Sequence, residues 1–403
     1  IYYARPRSFK EGQERLLRDY GRLRVFERCF YTDLSSIHPN SPLNPTKMLL
    51  NLAHPTTTKL RSLFASPIRH LCSKADHQKR VVCEQLHSRK LIRLRGKDCL
   101  PFLQGMITND TRHLSVDPQP SVSTSCMYAM TLNAAGRVLY DFLLYKPDPR
   151  HDDEVLLECD ADARSTVLKL FNLYKLRKDV RLEPCDELSV WAAFHPFCGA
   201  VDEPLPAEIP ITVAGDATVN VRDPRLHLLG HRVLLDSTQD LVASNPTFQA
   251  AHQDPTESIY TKLRYQLGVS EGLGELPTAN CFPLEYNADY MSGVSFHKGC
   301  YIGQELTART HHTGVVRKRI MPVVLLDRVD GGGVASDTMV KDGNDKAVGK
   351  FRVHRGQVGL ALLRVDEALS AAELSVGSVR LSTVKPGWWP PVVSKRQIEG
   401  QHS

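Results

Sequence analysis

Residues 128–145 read YAMTLNAAGRVLYDFLLY. Two apolar runs flank Asn133-Ala134-Ala135-Gly136, a step of turn-forming residues, so the stretch predicts a β-hairpin. Working outward, LIRLRG (91–96) reads as a strand. It leads into a helix that Asp98 would cap, with Leu100, Leu103 and Ile107 on one face and Asn109-Asp110 at its end. Downstream, VLLECD (155–160) predicts a strand. DARSTVLKLFNLYKL (162–176) predicts a helix whose Val167, Leu170, Phe171 and Tyr174 share a face. LSVWAAF (188–194) and LHLLGHRVLL (226–235) add strands, and TESIYTKLRYQLGV (256–269) a helix stopped by Gly268. Hairpins and separate helices, rather than regular βαβ units, make this α+β.

Past His312 the pattern changes. GVVRKRIMPVVLL, AVGKFRVH, VGLALLRV and VRLSTV are short β-like runs between Gly- and Asp-rich turns (DGGGV, KDGNDK). They predict a small antiparallel β-barrel domain over 313–385, a domain boundary near 312–320, and a flexible tail over 386–403. DGGGV reads as a turn, because no strand–Gly-loop–helix arrangement surrounds it to cradle phosphate. The α+β domain before the boundary spans 81–312.

The 403 residues are 42% hydrophobic and 24% charged, with a net charge of +6. That excess is too small and too scattered to predict a nucleic-acid partner. No apolar run reaches the length of a membrane span, so no membrane partner is expected. Ten cysteines, none in a CxxC and none at zinc-finger spacing, read as reduced intracellular thiols rather than a disulfide framework or a structural metal site. Residues 1–47 form a basic leader of unknown role. Residues 48–80 read as a mitochondrial transit peptide, because from Met48 to Ala75 the chain is basic, hydroxylated and free of Asp and Glu.

One stretch stands apart chemically: KGCYIGQE, 298–305. The following ELTARTHH lacks helix breakers, so a helix starting near Ile302 or Gly303 would place Cys300 at its amino end. Helix N–H groups, Lys298 and His297 would then favour a thiolate, while Gly299 and Gly303 leave the sulfur accessible. The residues leave three uses open: a metal ligand, a nucleophile paired with His297, His311 or His312, or an ordinary structural cysteine. Asp141, a carboxylate on the apolar strand VLYDFLLY, is either a satisfied buried group or a ligand contact. Glu285 in FPLEYNADY could serve either role, with a solvated place on the surface the expected one.

The segments LRGKDCLPFLQGMITND, LNAAGRVLYD, DPRLHLLG, LRYQLGVSEG, FPLEYNADYMSGVSF and KGCYIGQELTAR fall in order over about 85–385. Together they resemble the YgfZ branch of the folate-binding, aminomethyltransferase-like family, relatives of the glycine cleavage T-protein. With the acid-free leader, the resemblance points to that family's mitochondrial iron–sulfur cluster assembly members. It implies a folate-binding-type fold with a central cavity and a C-terminal β-barrel, and a place in the mitochondrial matrix. It also implies a role in maturing 4Fe–4S proteins such as aconitase and the radical enzyme that makes lipoate, with a link to haem biosynthesis. The implied partners are A-type scaffold proteins and 4Fe–4S clients. The motif carries over onto Lys298, Gly299, Cys300, Tyr301, Gly303, Gln304 and Glu305, with Arg309 in the same run. Cys300 would be the ligand of a 2Fe–2S cluster shared with a partner, since one cysteine cannot hold a cluster alone.

The same resemblance implies a tetrahydrofolate site, with Tyr140, Asp141, Arg264 and Glu285 as pocket candidates. Where T-proteins carry adjacent aspartates this chain has Tyr140-Asp141, and where they have an acid it has Gln266. An aminomethyl transferase needs a carboxylate to steer the folate amine. The expectation is therefore an assembly factor without turnover. A tetrahydrofolate-dependent one-carbon transferase is the alternative.

Overall fold

The computed structural model describes residues 81–114, 125–148, 150–196, 211–213, 217–251, 258–329 and 333–391. Residues 1–80, where a leader and a transit peptide are expected, and the last twelve residues lie outside them. In chain order the elements are β1 (Val82–Gln85), β2 (Arg89–Arg95), α1 (Cys99–Met106), β3 (Cys126–Leu132), β4 (Val138–Tyr145), β5 (Glu154–Asp160), α2 (Arg164–Lys175), β6 (Arg181–Cys185), β7 (Leu188–Phe194), β8 (Val219–Arg222) and β9 (His231–Asp236). Then follow α3 (Leu241–Ser244), β10 (Gln249–Ala250), α4 (Ile259–Leu267), α5 (Gln304–Thr313), β11 (Lys318–Leu325), β12 (Met339–Asp342), β13 (Ala347–Arg355), β14 (Val358–Arg364), α6 (Val365–Ser370), β15 (Leu374–Val376) and β16 (Val379–Thr383).

The strands form two five-stranded sheets, ordered β10-β1-β7-β9-β8 and β3-β4-β5-β2-β6, and a closed barrel ordered β11-β14-β13-β12-β15-β16. The predicted hairpin is present: β3 and β4 pair antiparallel, with Met130 opposite Asp141, and a bulge falls at Thr131/Leu132 beside the turn. Closure of the barrel removes its free edges. The described residues fall in one compact unit. The architecture changes near 312, yet Ile320, Val324, Val358, Leu360 and Leu362 of the barrel share a core with Tyr128, Leu143, Leu156, Phe194, Tyr260 and Leu263.

Strand alternation sorts the second sheet's side chains. Ile92, Leu94, Met127, Ala129, Phe142 and Leu144 face α1 and α2, where Phe102 and Phe171 pack on them. Leu91, Tyr128, Met130, Leu143 and Tyr145 face the other way, into the core shared by the two sheets, α4 and the barrel.

Four local expectations need correction. Asp98 precedes α1 but makes no side-chain cap; its Oδ2 instead accepts from Asp179 N at 2.8 Å, tying α1 to the turn before β6. Helix α1 stops at Met106 rather than at Asn109-Asp110, because Ile107 is already extended. Tyr174 does not share the buried face of α2; it stands 46% exposed. Residues 386–391 are not loose: Trp389 is buried, and Trp388 Nε1 donates to Leu267 O at 2.8 Å. The remainder of that expected tail, 392–403, lies outside the described residues.

Candidate functional site: an anchored thiol

Directly after α1 the chain runs extended along β3, the edge of its sheet. Thr108 N donates to Met130 O at 2.8 Å, and Met130 N returns a bond to Thr108 Oγ1 at 2.9 Å. Asn109 Nδ2 reaches Tyr128 O and Ser292 O, and Ser295 N donates to Thr108 O. Residues 107–110 therefore form a platform that covers a sheet edge and receives the segment leading into KGCYIGQE.

That motif is fixed on both sides of Cys300. On one side, Lys298 Nζ donates to Ile107 O at 2.8 Å and Asn109 O at 2.6 Å and lies 4.9 Å from the Tyr301 ring centre. On the other, Ile302 N donates to Gly105 O at 3.2 Å. Gly303 follows at φ 79°, and a Cβ there would lie 2.2 Å from Asn133 O and 2.9 Å from Leu132 Cβ. The turn before α5 is thus seated on the turn of the β3–β4 hairpin, at a contact that only glycine allows. Gln304 Oε1 accepts from Tyr301 N at 3.2 Å, closing the turn, and Glu305 is exposed in the helix's first turn, where the dipole favours an acid. Between the two anchors Cys300 is exposed.

The other described cysteines, at 83, 99, 126, 159, 185 and 281, are all buried. Burial pushes the thiols of Cys83, Cys99, Cys159 and Cys281 up to about 12, which leaves them protonated and inert. Burial also brings the Lys298 ammonium down to about 8, with nearby Asp110 opposing the drop. Burial alone would raise Asp110, but hydrogen bonds from Arg112 and Gln104 win and hold it at about 2. Lys298 is therefore spent on two carbonyls, an anchor rather than a free charge beside the sulfur as the sequence reading had it.

The expected histidine partners are arranged otherwise. His311 stacks flat on Phe296, with centres 3.5 Å apart and planes 10° from parallel, and His312 meets both rings edge-on. Among the described residues no hydrogen bond joins a histidine to Cys300, and no group of three or more His, Cys, Asp or Glu side chains is placed to hold a metal ion. Arg309 is exposed on α5.

The four residues expected to line a folate pocket do not come together. Tyr140 faces the helices, 6.5 Å from Phe142 ring to ring, while Asp141 faces the opposite side of the same strand. Asp141 is buried: its Oδ1 accepts from Gly272 N at 3.1 Å, and its Oδ2 lies 3.3 Å from Arg89 Nη1 as an ion pair but takes no hydrogen bond, so its charge is paired while that oxygen is not satisfied. Arg264 forks onto both oxygens of Glu275, at 2.6 and 2.8 Å. Glu285, raised by burial, lines a groove of about 450 Å³ beside α5 with Phe282, Leu306, Thr310 and Val315.

What lies between the sheets is a buried ionic network that residue-by-residue reading did not find. Arg89 bridges Asp141 and Glu158, and Glu158 also takes the Tyr145 hydroxyl. Arg232 joins Glu271 and reaches Glu158 at 3.5 Å, and Arg225 joins Asp223 at 2.7 Å and Glu271 at 2.8 Å. Burial works against the Glu271 carboxylate, but Arg232, Arg225, Arg264 and Arg89 together hold it well below its ordinary range. A cleft of about 420 Å³ opens onto this network, walled by Trp191, Tyr260, Arg264 and Glu271. Its size suits a small molecule.

The C-terminal β-barrel domain of CAF17 proteins matches residues 317–391, the barrel and the packed segment after it. The chain is 41% identical over 318 residues to the mitochondrial iron–sulfur cluster assembly factor IBA57 of Mus musculus, covering 76% of this chain and 85% of that one. Its identity to the Homo sapiens protein of that name is 39%, over 77% and 86% of the two chains. The chain belongs to the IBA57 family. The aminomethyltransferase T of the glycine cleavage system from Bartonella henselae has the same fold, with a TM-score of 0.56 over 77% of this chain and 87% of that one, at 14% identity. The folate-binding-type fold is therefore correct, and KGCYIGQE sits on it as an exposed loop rather than inside its core.

Proposed function

We propose that this IBA57-family protein works in iron–sulfur cluster assembly by lending the Cys300 thiolate to a cluster held jointly with a second protein. The protein is mitochondrial, as its relatives are named, and the matrix is the compartment this reading places it in. One observation carries the proposal. Cys300 is exposed on a loop fixed through Lys298 on one side and Ile302 and Gly303 on the other, while the other described cysteines are buried. A thiol held out in this way suits capture by a partner's metal. Coordination releases its proton and forms one Fe–S bond, and since clusters take several thiolates the partner must supply the rest.

By this reading the partner is an A-type scaffold carrying a 2Fe–2S cluster, and the clients are 4Fe–4S enzymes such as aconitase and the lipoate-forming radical enzyme. The protein needs no turnover of its own in this role. The experiment is a thiol footprint under anaerobic conditions, with iodoacetamide labelling mapped by mass spectrometry. Cys300 should be alkylated in the free protein and with the cluster-free scaffold, and protected once the cluster-loaded scaffold is added. Equal labelling in all three samples rules the ligand role out.

A second reading, binding of tetrahydrofolate, is favoured by the cleft at Trp191, Tyr260, Arg264 and Glu271. It is a binding reading without transfer chemistry, because Glu271 is bridged by arginines and Asp141 by Arg89. Quenching of Trp191 fluorescence by tetrahydrofolate, lost in Arg264→Met, would support it. Quenching that survives that substitution would exclude this cleft.

A further inference from the structure

Helix α2 ends in a feature that the cluster-assembly reading does not use. Leu173, Tyr174 and Leu176 are 71%, 46% and 84% exposed, three large apolar side chains within four residues. Leu176 also takes φ 49°, a left-handed conformation that an L-leucine rarely adopts. It gains nothing from burial there. The turn that holds it is ordered: Lys178 N donates to Lys175 O, Val180 N to Lys178 O, and Lys175 Nζ to Val180 O. From 169 to 183 the chain carries five bases, Lys169, Lys175, Arg177, Lys178 and Arg181, against two acids, Asp179 and Glu183, and Arg181 pairs with Glu183 at 2.6 Å. Among the described residues none pairs with Lys169, Arg177 or Lys178.

We infer that the end of α2 docks this protein reversibly on an anionic lipid surface. Clustered exposed apolar side chains with a polar rim mark interaction sites, and here Lys169, Arg177 and Lys178 stand in that rim without a paired acid, beside Asp179 and the Arg181–Glu183 pair. The shape decides the kind of partner. Leu173 and Tyr174 are successive helical residues and point about 100° apart, and Leu176 projects from the turn beyond. A rigid protein face would cover one of these directions, whereas the interfacial layer of a bilayer closes around all three. Flanking lysines and arginines would reach the headgroups by extending their aliphatic stems. The sequence expectation of no membrane contact rested on the lack of a spanning helix, and no helix of the described residues is long and apolar enough to cross a membrane. Surface docking needs no such helix.

The test is flotation of residues 81–403, without the basic leader that would itself bind anionic lipid, with vesicles of phosphatidylcholine alone, or mixed with phosphatidylglycerol. Wild type should float with the anionic vesicles, stay behind with the neutral ones, and detach as salt is raised. Leu173→Ser/Leu176→Ser changes only exposed side chains and should weaken binding at least about tenfold. Lys169→Gln/Arg177→Gln/Lys178→Gln should weaken it about a hundredfold, each base near the surface counting about fivefold. Near-UV circular dichroism confirms that both variants keep the fold. No flotation with anionic vesicles overturns the inference, and capture by immobilised polyglutamate in its place would assign the patch to an acidic protein. Undiminished binding by the leucine variant also overturns it, because the apolar tip would then have no part.

Discussion

Lys298 carries its charge where burial opposes it, and the two carbonyls that it holds lie 189 and 191 residues away in sequence. Lys298→Met should cost about 1–3 kcal/mol by leaving those carbonyls without a donor, read by urea unfolding. It should also loosen the loop, so that alkylation of Cys300 no longer follows a single rate. Its titration supplies a sign. The folded pKa, about 8, lies below the ordinary 10.5, so between these values the unfolded chain binds more protons. Stability from this group is then present above 10.5, lost as pH falls to 8, and absent below. Wild type should therefore gain on Lys298→Met as pH rises through that window. A flat difference would mean that Lys298 is not buried in this way. Gly303→Ala places a Cβ against Asn133 O in a left-handed backbone; it should cost about 1–3 kcal/mol and displace the motif from the hairpin turn, seen as a lowered Tm. The glycine and its neighbours were legible as a tight turn in the sequence, but what the turn sits on was not.

At the scale of elements, helix and strand periodicity made the β3–β4 hairpin, α2, α4 and the barrel strands readable, because each buries a patterned face. The same rule misled at Tyr174, which has helical spacing but is exposed near the helix's end, past the buried Val167 and Phe171. The ionic network between the sheets could not be read this way. Arg89, Glu158 and Arg232 sit on three separate strands, and only the pairing of β2 with β5 and the packing of β9's sheet against them show that each buried charge has an opposite one. Glu271→Gln or Arg232→Met should cost about 3–5 kcal/mol by leaving uncompensated charges in the interior, measured by urea unfolding. Because Glu271 and Asp223 titrate below their ordinary range when folded, their contribution is full above the unfolded carboxylate pKa and is lost as pH falls toward the folded values. Acid unfolding should accordingly begin at higher pH in the Glu271→Gln protein.

Taken as a whole, the molecule joins its barrel to the sheets through shared core and specific bonds. Arg319 on β11 forks onto Asp289 at 2.9 Å to each oxygen, donates to Leu284 O, and lies 3.7 Å from the Tyr290 ring centre. Removing 317–391 should therefore expose the core of the remaining chain and abolish its near-UV circular dichroism, rather than leave an independent folded domain. The barrel was legible from its short strands, whereas this dependence was not, because β11 and β14 give one face to the barrel interior and the other to the sheets. On that frame KGCYIGQE holds an exposed thiol on a fixed loop, which by our proposal a partner's cluster takes as a ligand. The most direct measurement is anaerobic native mass spectrometry, with visible absorption, of wild type and Cys300→Ser mixed with a scaffold carrying a 2Fe–2S cluster. Wild type should give a coloured complex with the mass of both chains plus one cluster, and Cys300→Ser, equally well folded, should give none. The same cluster-bound complex from both proteins would contradict the account.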